Sequence, residues 1–199
     1  MHSALLNLPM ASPVPPHSWF HHGEQVLALL EQHRPMVTVE LGTWKGGSAI
    51  AMARVVRQWG GVVHCVDTWT GDVTGGPVSG HPGMILHAAH NAVACGVSAS
   101  LRFIPSLTVE AAHAWHGPID FLYVDADHTD ASVTADLHAW WPHLRVGGLI
   151  AGDDYRSSLY PGLTDAWDRF EVEAGQSFER VPTPDTNPPG MALIYGLKR

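Results

Sequence analysis

A chain of 199 residues with 45% hydrophobic content can bury the core of one domain, and we expect residues 1–199 to form a single domain. With 11 basic against 19 acidic side chains, the formal net charge of −8 offers no basic face for a polyphosphate, so nucleic acid is not an expected partner. The two cysteines form no disulfide framework, and no apolar run reaches the ~18 residues of a membrane span. We therefore expect an unprocessed cytoplasmic protein with no membrane partner.

Apolar runs alternate with segments of helical period along most of the chain, which is typical of a mostly parallel sheet covered by helices. A Pro-rich N-terminal segment, residues 1–35, contains a predicted helix at 24–33 that stops before Pro35. The predicted parallel strands are 36–41, 61–67, 101–106, 119–125 and 148–152.

Two further patterns complete the predicted fold. Residues 49–56 place apolar side chains on one helix face between the first two strands, which predicts a βαβ unit. After the fifth strand, a helical pattern over 164–174 is followed by strand-like runs at 177–182 and 190–199. The turn-rich residues 183–190 join these runs, so we predict a closing antiparallel pair.

A glycine-rich stretch follows the second strand. Residues 71–84 contain five glycines and two prolines and cannot form a regular element. Because long loops in compact domains often carry function, this stretch is a candidate lid.

The first strand runs into a glycine loop, "VELGTWKGGSA", that leads into the next helix. Gly42, Gly46 and Gly47 allow positive φ and a close backbone approach, while the helix N-terminus presents free N–H groups to an anionic end. The loop is therefore interpreted as a nucleotide-type cradle, although a tight turn of any α/β protein has the same residues. Its spacing matches neither a P-loop nor the dinucleotide fingerprint.

An acid also ends the second strand. Asp67 at this position can accept hydrogen bonds from both hydroxyls of a ribose, as in several proteins that bind adenosine cofactors. Trp69 can cover an adenine face or pack in the core, and the sequence leaves both roles open.

Acids cluster at the ends of the last two parallel strands, in "VDADH" and "GDDY". If the strands are neighbours, three carboxylates converge and repel one another in a partly dry site. A divalent cation relieves such repulsion, and oxygen ligands suit Mg²⁺. The alternative is that these acids are solvated or cap the following helices.

These motifs together resemble a known family. The segments "VELGTWKGGSA", "HCVDTWTGD" and "FLYVDADHTDASVTADLHAWWPHLRVGGLIAGDDY", with the closing strand pair, resemble class I S-adenosylmethionine-dependent methyltransferases. Within that fold the chain is most similar to the macrocin- and rhamnosyl-type O-methyltransferases, and more distantly to catechol O-methyltransferases. The resemblance covers residues 36–199.

The resemblance implies an α/β fold with a doubly wound, Rossmann-like sheet of seven strands, whose carboxyl ends hold S-adenosylmethionine. Glu40 and Gly42 would line the methionine side, with Ser48 near its carboxylate. Asp67 would hold the ribose, and Ser106 would lie near the adenine. The full set of implied cofactor residues is Glu40, Gly42, Thr43, Gly46, Ser48, Asp67, Trp69 and Ser106.

Resemblance to the metal-dependent members assigns a Mg²⁺ site to Asp125, Asp153 and Asp154. A cation on the acceptor hydroxyl would lower its pKa and fix its direction. His128 is the predicted general base if the chain turns near it and swings the imidazole over the metal edge, and Asp125 is the rival base.

We therefore expect an O-methyltransferase that acts on a small-molecule hydroxyl of a sugar or phenol. The alternatives are a metal-independent methyltransferase and a non-catalytic cofactor- or nucleotide-binding protein. "DAD" also matches a glycosyltransferase motif, but that class does not explain the glycine loop or "GDDY". "NPPG" at 187–190 is interpreted as a turn and not as the amine-binding motif of amino-methyltransferases. The acceptor and the oligomeric state stay open, a homo-oligomer included.

Overall fold

The structure is a computed structural model that describes residues 20–71, 83–182 and 191–199. The predicted lid, apart from its two ends, and the predicted turn at 183–190 lie outside the described residues, as do the first 19 residues of the N-terminal segment. The strands are β1 (Val37–Leu41), β2 (Val62–Asp67), β3 (Leu101–Pro105), β4 (Ile119–Val124), β5 (Leu144–Tyr155), β6 (Glu179–Pro182) and β7 (Ala192–Leu197).

Helices connect these strands on both sides of the sheet. The α-helices of the described residues are α1 (Gly23–His33), α2 (Gly47–Val56), α3 (Met84–Ala94), α4 (Thr108–Ala114), α5 (Asp130–Trp140) and α6 (Pro161–Ala174). None of them is both long and apolar enough to cross a membrane.

The strands form one sheet in the order β3-β2-β1-β4-β5-β7-β6. The first five strands pair in parallel, and β7 pairs antiparallel with both β5 and β6. The predicted α/β class, the seven-stranded Rossmann-like sheet and its closing antiparallel pair are thereby confirmed.

The central strands are apolar throughout because helices cover both faces of the sheet. Along β4, Phe121 and Tyr123 pack with α1, α2 and α3, while Leu122 and Val124 pack with α4, α5 and α6. This alternation follows from the two-residue period of a strand. The sheet therefore lies between two helical layers, and its polar residues are concentrated at strand ends.

The largest difference from the predicted strands is in β5, which was expected at 148–152 and spans Leu144–Tyr155. Because β5 pairs with β7 on its outer edge, its ladder continues after its parallel partner β4 has ended. The register is irregular between Gly152 and Tyr155, and Asp154 has a positive φ of 57°. Asp153 and Asp154 thus lie in a distorted strand end and point to different surroundings.

Candidate functional site

A cavity of about 690 Å³ lies at the carboxyl ends of the parallel strands. Ligands of parallel α/β proteins bind at this edge of the sheet. Residues from the ends of all five strands line it, among them Gly42, Asp67, Ser106, Asp125 and Asp154. The described residues that flank the undescribed segments, Gly71, Met84 and Met191, also line it.

The glycine loop packs directly against the end of β4. Gly42 has a φ of +83°, and a Cβ there would collide with the backbone carbonyl oxygen of Asp125. Gly46, at φ +84°, caps α2, and its N–H donates to the Thr43 carbonyl oxygen at 2.7 Å. Gly42, Thr43 and Ser48 line the cavity, whereas Gly46 shapes the turn without lining it.

Glu40 was predicted to line the methionine side of the pocket, and its position differs from that expectation. Its side chain is fully buried and accepts hydrogen bonds from the Thr43 hydroxyl, at 2.7 Å, and from the Ser48 hydroxyl. Burial raises the pKa of Glu40 to about 7, although the two hydroxyl donors oppose the shift. Glu40 therefore anchors the glycine loop from within the core because the hydroxyls shield it from the cavity.

Asp67 binds the same loop from β2. One oxygen accepts the backbone N–H groups of Thr43 and Trp44, at 2.8 and 2.7 Å, and the other accepts that of Trp69 at 2.6 Å. The carboxylate is thus fixed at the cavity wall by backbone donors. Ser106 also lines the cavity and donates its own N–H to the Asp67 carbonyl oxygen at 3.1 Å.

Trp69, for which the sequence left two roles open, packs in the core and also borders the cavity. It is 4% exposed, packs edge-on against Phe103 and donates its indole N–H to the Trp44 carbonyl oxygen at 2.8 Å. It is nevertheless one of the residues that line the cavity.

Three side chains converge at the ends of β4 and β5. One ligand atom each from Asp125, His128 and Asp154 lies within 4.8 Å of the others. Nε2 of His128 is 3.0 Å from an Asp154 oxygen and 3.7 Å from an Asp125 oxygen, but it has no hydrogen bond of acceptable geometry among the described residues. We refer to these three residues as the acid–histidine cluster.

Burial and the closeness of the ionisable groups shift the pKa values of Asp125 and His128. Burial raises the pKa of Asp125 well above its ordinary value, and Asp153 and Asp154 add to the rise while His128 opposes it. Burial lowers the pKa of His128, but the two neighbouring carboxylates outweigh this effect and raise it to about 10. In this arrangement His128 is an imidazolium at neutral pH and supplies the positive charge between the acids.

Asp153 was predicted as a metal ligand, but both of its oxygens are engaged elsewhere. One contacts Nδ1 of buried His22, and the other accepts the Tyr123 hydroxyl at 2.8 Å. Burial opposes ionisation of Asp153, but His22 outweighs it and lowers the pKa of the carboxyl. Asp153 therefore lines the cavity with its oxygens already held by His22 and Tyr123, and the cluster contains His128 in its place.

The expected turn after β4 is present. The strand stops at Val124, Thr129 caps α5, and the imidazole of His128 swings over the end of the sheet. The ring of His128 stacks on Tyr160, with centroids 4.3 Å apart and planes 20° from parallel. Tyr160 lines the cavity, and no sequence signal marked it.

The sequence analysis also missed Asp136. This carboxyl lines the cavity, is 2% exposed, and accepts a hydrogen bond from the Thr108 hydroxyl. Burial raises its pKa to about 7 against the effect of that hydrogen bond. A signal was available, because Asp136 falls on the same helix face as apolar Val133, Leu137 and Trp140.

Comparison with known proteins finds relatives that are described as methyltransferases or methylases. A 50-residue stretch is 36% identical to demethylmacrocin O-methyltransferase of Streptomyces fradiae, and it covers 25% of this chain and only 13% of that protein. The O-methyltransferase from Bacillus cereus in complex with SAH has a TM-score of 0.71 at 19% identity, over 98% of this chain and 86% of that one. An rRNA methylase from Streptococcus thermophilus has a TM-score of 0.65 at 12% identity, over 96% and 99%. At these identities the two structures show a shared fold.

The predicted resemblance to class I methyltransferases is confirmed by a family match that runs from within β1 to the last residue of β5. The family described as Methyltransferase domain matches residues 39–155, more than half of the chain, and the chain belongs to that family.

Proposed function

We propose that the protein is an S-adenosylmethionine-dependent O-methyltransferase that acts on the hydroxyl of a small molecule with the help of a divalent cation, Mg²⁺. One observation carries the proposal: a single cavity joins the glycine loop and Asp67 to the acid–histidine cluster. A methyl donor and a hydroxyl acceptor can therefore occupy adjoining parts of the same site. The Bacillus cereus protein, which shares the fold, was solved with SAH.

The first half of the cavity suits the cofactor. Asp67 is held by three backbone N–H groups and can still accept hydrogen bonds from a ribose, because each carboxylate oxygen offers more than one lone-pair site. Gly42, Thr43 and Ser48 line the part next to the N-terminus of α2, which favours a carboxylate. We assign Glu40 and Gly46 to shaping this loop, and Trp69 and Ser106 to the adenosine side.

The acid–histidine cluster suits a divalent cation. Its three ligand atoms lie close together, the Nε2 atom of His128 has no hydrogen bond to any described residue, and the carboxylates repel each other. Asp125, Asp154 and His128, after loss of its Nε2 proton, would hold the ion, and Asp153 would join them only after leaving His22 and Tyr123. Such an ion would lower the pKa of the acceptor hydroxyl and orient it.

The raised pKa of His128, about 10, bears on the choice of general base. An imidazolium holds its proton and cannot accept another at neutral pH, so the predicted role of His128 as base requires that this proton first be lost. Asp125 also has a raised pKa in the site without an ion, and a cation bound to its carboxylate would lower that pKa. Both His128 and Asp125 therefore remain candidates for the general base.

A small acceptor fits this site better than nucleic acid. The net charge of −8 and the carboxylates around the cavity disfavour a phosphate backbone, even though an rRNA methylase shares the fold. The aromatic ring of Tyr160 beside the cluster would pack against the ring of a phenol or the apolar face of a sugar. Two free cysteines accord with the proposed cytoplasmic location.

The activity test uses transfer of a labelled methyl group to a mixture of phenols, catechols and sugars, with Mg²⁺ and after exhaustive chelation. Transfer that chelation abolishes supports the proposal. Transfer that survives chelation favours the metal-independent alternative. Cofactor binding by calorimetry without transfer to any acceptor favours the non-catalytic alternative.

A second experiment tests the ligand set. Mn²⁺ binding is followed by electron paramagnetic resonance in Asp125→Asn, His128→Asn, Asp153→Asn and Asp154→Asn, with the exposed Asp165→Asn as the matched control. Variants of the acid–histidine cluster should lose at least about tenfold in affinity, and the control should not change. A loss in Asp153→Asn as large as in Asp154→Asn would restore the three-aspartate set.

A further inference from the structure

A recess of the cavity lies between the beginnings of α4 and α5. Its walls include the apolar side chains of Leu107, Val109, Ala131 and Ala135. Such walls suit a flat ring with apolar faces. Asp136 lines the cavity beside these apolar residues, and Thr108, Glu110, Asp127 and Ser132 are polar residues of the same stretch of lining.

Burial of the Asp136 carboxyl costs free energy, and only one of its two oxygens accepts a hydrogen bond from a described residue. Asp136 is 2% exposed, and the Thr108 hydroxyl donates its one hydrogen bond among the described residues. Unlike Nε2 of His22, the other oxygen of Asp136 is not a fully buried atom without a partner. It therefore borders the cavity that Asp136 lines. A buried carboxyl with a free oxygen at a cavity wall can accept a hydrogen bond from a ligand. Its pKa of about 7 accords with that missing donor.

The sheet order indicates which part of a cofactor would reach this recess. From the cluster outward, the strand ends run β4, β1, β2 and β3. If the methionine end lies at the β1 loop and the ribose at Asp67 on β2, the base continues toward Ser106 after β3 and into α4. Thr108, the first residue of α4, holds Asp136 at that place.

We infer that Asp136 is the residue that recognises adenine, by accepting a hydrogen bond from the exocyclic amine of the base. The inference rests on the proposed use of S-adenosylmethionine and adds the group that selects its base. A 6-oxo base would place an acceptor against the carboxyl oxygen, so the site would discriminate against inosine.

The test compares binding of S-adenosylhomocysteine and S-inosylhomocysteine by calorimetry. The wild-type protein should prefer the adenine compound by about 10- to 100-fold, the range for a hydrogen bond to a charged or buried carboxyl. Asp136→Asn keeps the shape but can donate to a 6-oxo group, so it should lose most of this preference. An unchanged preference in a folded Asp136→Asn variant would overturn the inference.

Two variants separate recognition from a structural role. Asp130→Asn makes the same change on the same helix at an exposed site and should keep the preference. Thr108→Val removes the hydroxyl that positions Asp136 but leaves the carboxyl, so it should alter thermal stability and reduce the preference less than Asp136→Asn does. If Asp136 only ties α4 to α5, Thr108→Val and Asp136→Asn will affect stability alike, and Asp136→Asn will keep the wild-type preference.

The wild-type protein alone also provides a test should Asp136→Asn fail to fold. An analogue with a dimethylated exocyclic amine has no donor and should bind at least about tenfold more weakly than S-adenosylhomocysteine. Equal binding of the adenine, dimethyladenine and inosine compounds would overturn the inference and leave the proposed function intact. Binding of none of them would overturn both.

Discussion

Asp67 and Asp125 both stand at the end of a parallel strand on the same edge of the sheet, yet their surroundings are opposite. Asp67 accepts three backbone N–H groups, so its charge is met by the chain itself. Asp125 faces Asp153 and Asp154, and burial raises its pKa. The difference indicates that one half of the cavity is preorganised by its own backbone donors, whereas the acids of the other half depend on the imidazoles of His22 and His128 to balance their charge.

The two halves of the cavity meet at Gly42, where the glycine loop contacts the end of β4. Disrupting this contact should have the largest effect on stability. Gly42→Ala puts a Cβ into the backbone carbonyl of Asp125 at a φ of +83°, so neither side can yield by a rotamer change. We expect a loss of more than about 4 kcal/mol in the free energy of unfolding, measured with urea.

Gly96→Ala is the matched control for this prediction. Gly96 also has a positive φ, +67°, but a Cβ there meets nothing within 4 Å. It should lose only about 1–2 kcal/mol, the cost of left-handed backbone for a residue with a side chain. Equal losses in the two variants would show that the contact between the halves contributes nothing.

Glu40→Gln should have the next largest effect. It should change how the free energy of unfolding depends on pH. The pKa of Glu40 rises from 4.5 to about 7 on folding, so between these values the folded protein binds more protons than the unfolded chain. The free energy of unfolding therefore falls as the pH rises through this interval, by roughly 3 kcal/mol from this residue.

Urea unfolding at pH 4.5 and at pH 8 checks this linkage. Glu40→Gln should show a smaller loss of stability between the two conditions than the wild-type protein, whereas Glu24→Gln, at an exposed site, should match the wild type. A Glu40→Gln protein with the wild-type pH profile would mean that Glu40 is ionised in the fold at neutral pH.

Of the substitutions at Gly42, Glu40 and Asp67, Asp67→Ala should have the smallest effect. It tests the contrast between Asp67 and Asp125. Removing the carboxylate leaves three backbone N–H groups without their acceptor, and we expect losses of roughly 1–3 kcal/mol in stability and in S-adenosylhomocysteine binding by calorimetry. Asp125→Ala in metal-free protein should lose less stability, since it also removes a repulsive neighbour. A larger loss in Asp125→Ala would contradict the contrast between the halves.

The sequence predicted the parts of this molecule that depend on local pattern. Strand runs, the glycine loop and the acids after β2 and β4 follow from periodicity and from residue types that special backbone positions require. The partners of the acids depend on contacts between distant segments. Nothing near Asp153 in the sequence indicates His22, and the direction of Asp153 depends on the irregular pairing of β5 with β7.

Asp136 illustrates a different limit. Its helix was predicted, and its position on an apolar face could be read from spacing alone, but the spacing does not reveal that this face borders a cavity. That depends on how α4 and α5 pack, which no local pattern specifies. The hydrogen bonds of Glu40 could not be predicted for a related reason, because a strand end does not tell which hydroxyl groups fold back over it.

The contact between His22 and Asp153 joins residues 131 positions apart, which has a consequence for synthesis on the ribosome. His22 emerges long before Asp153 exists, and the contact can form only after β4 and β5 have joined the sheet. Contacts of such high sequence separation form late, because the entropy of closing the loop must be met first. Asp153 therefore lacks its His22 partner until this long loop has closed, and until then its charge is not balanced by that imidazole.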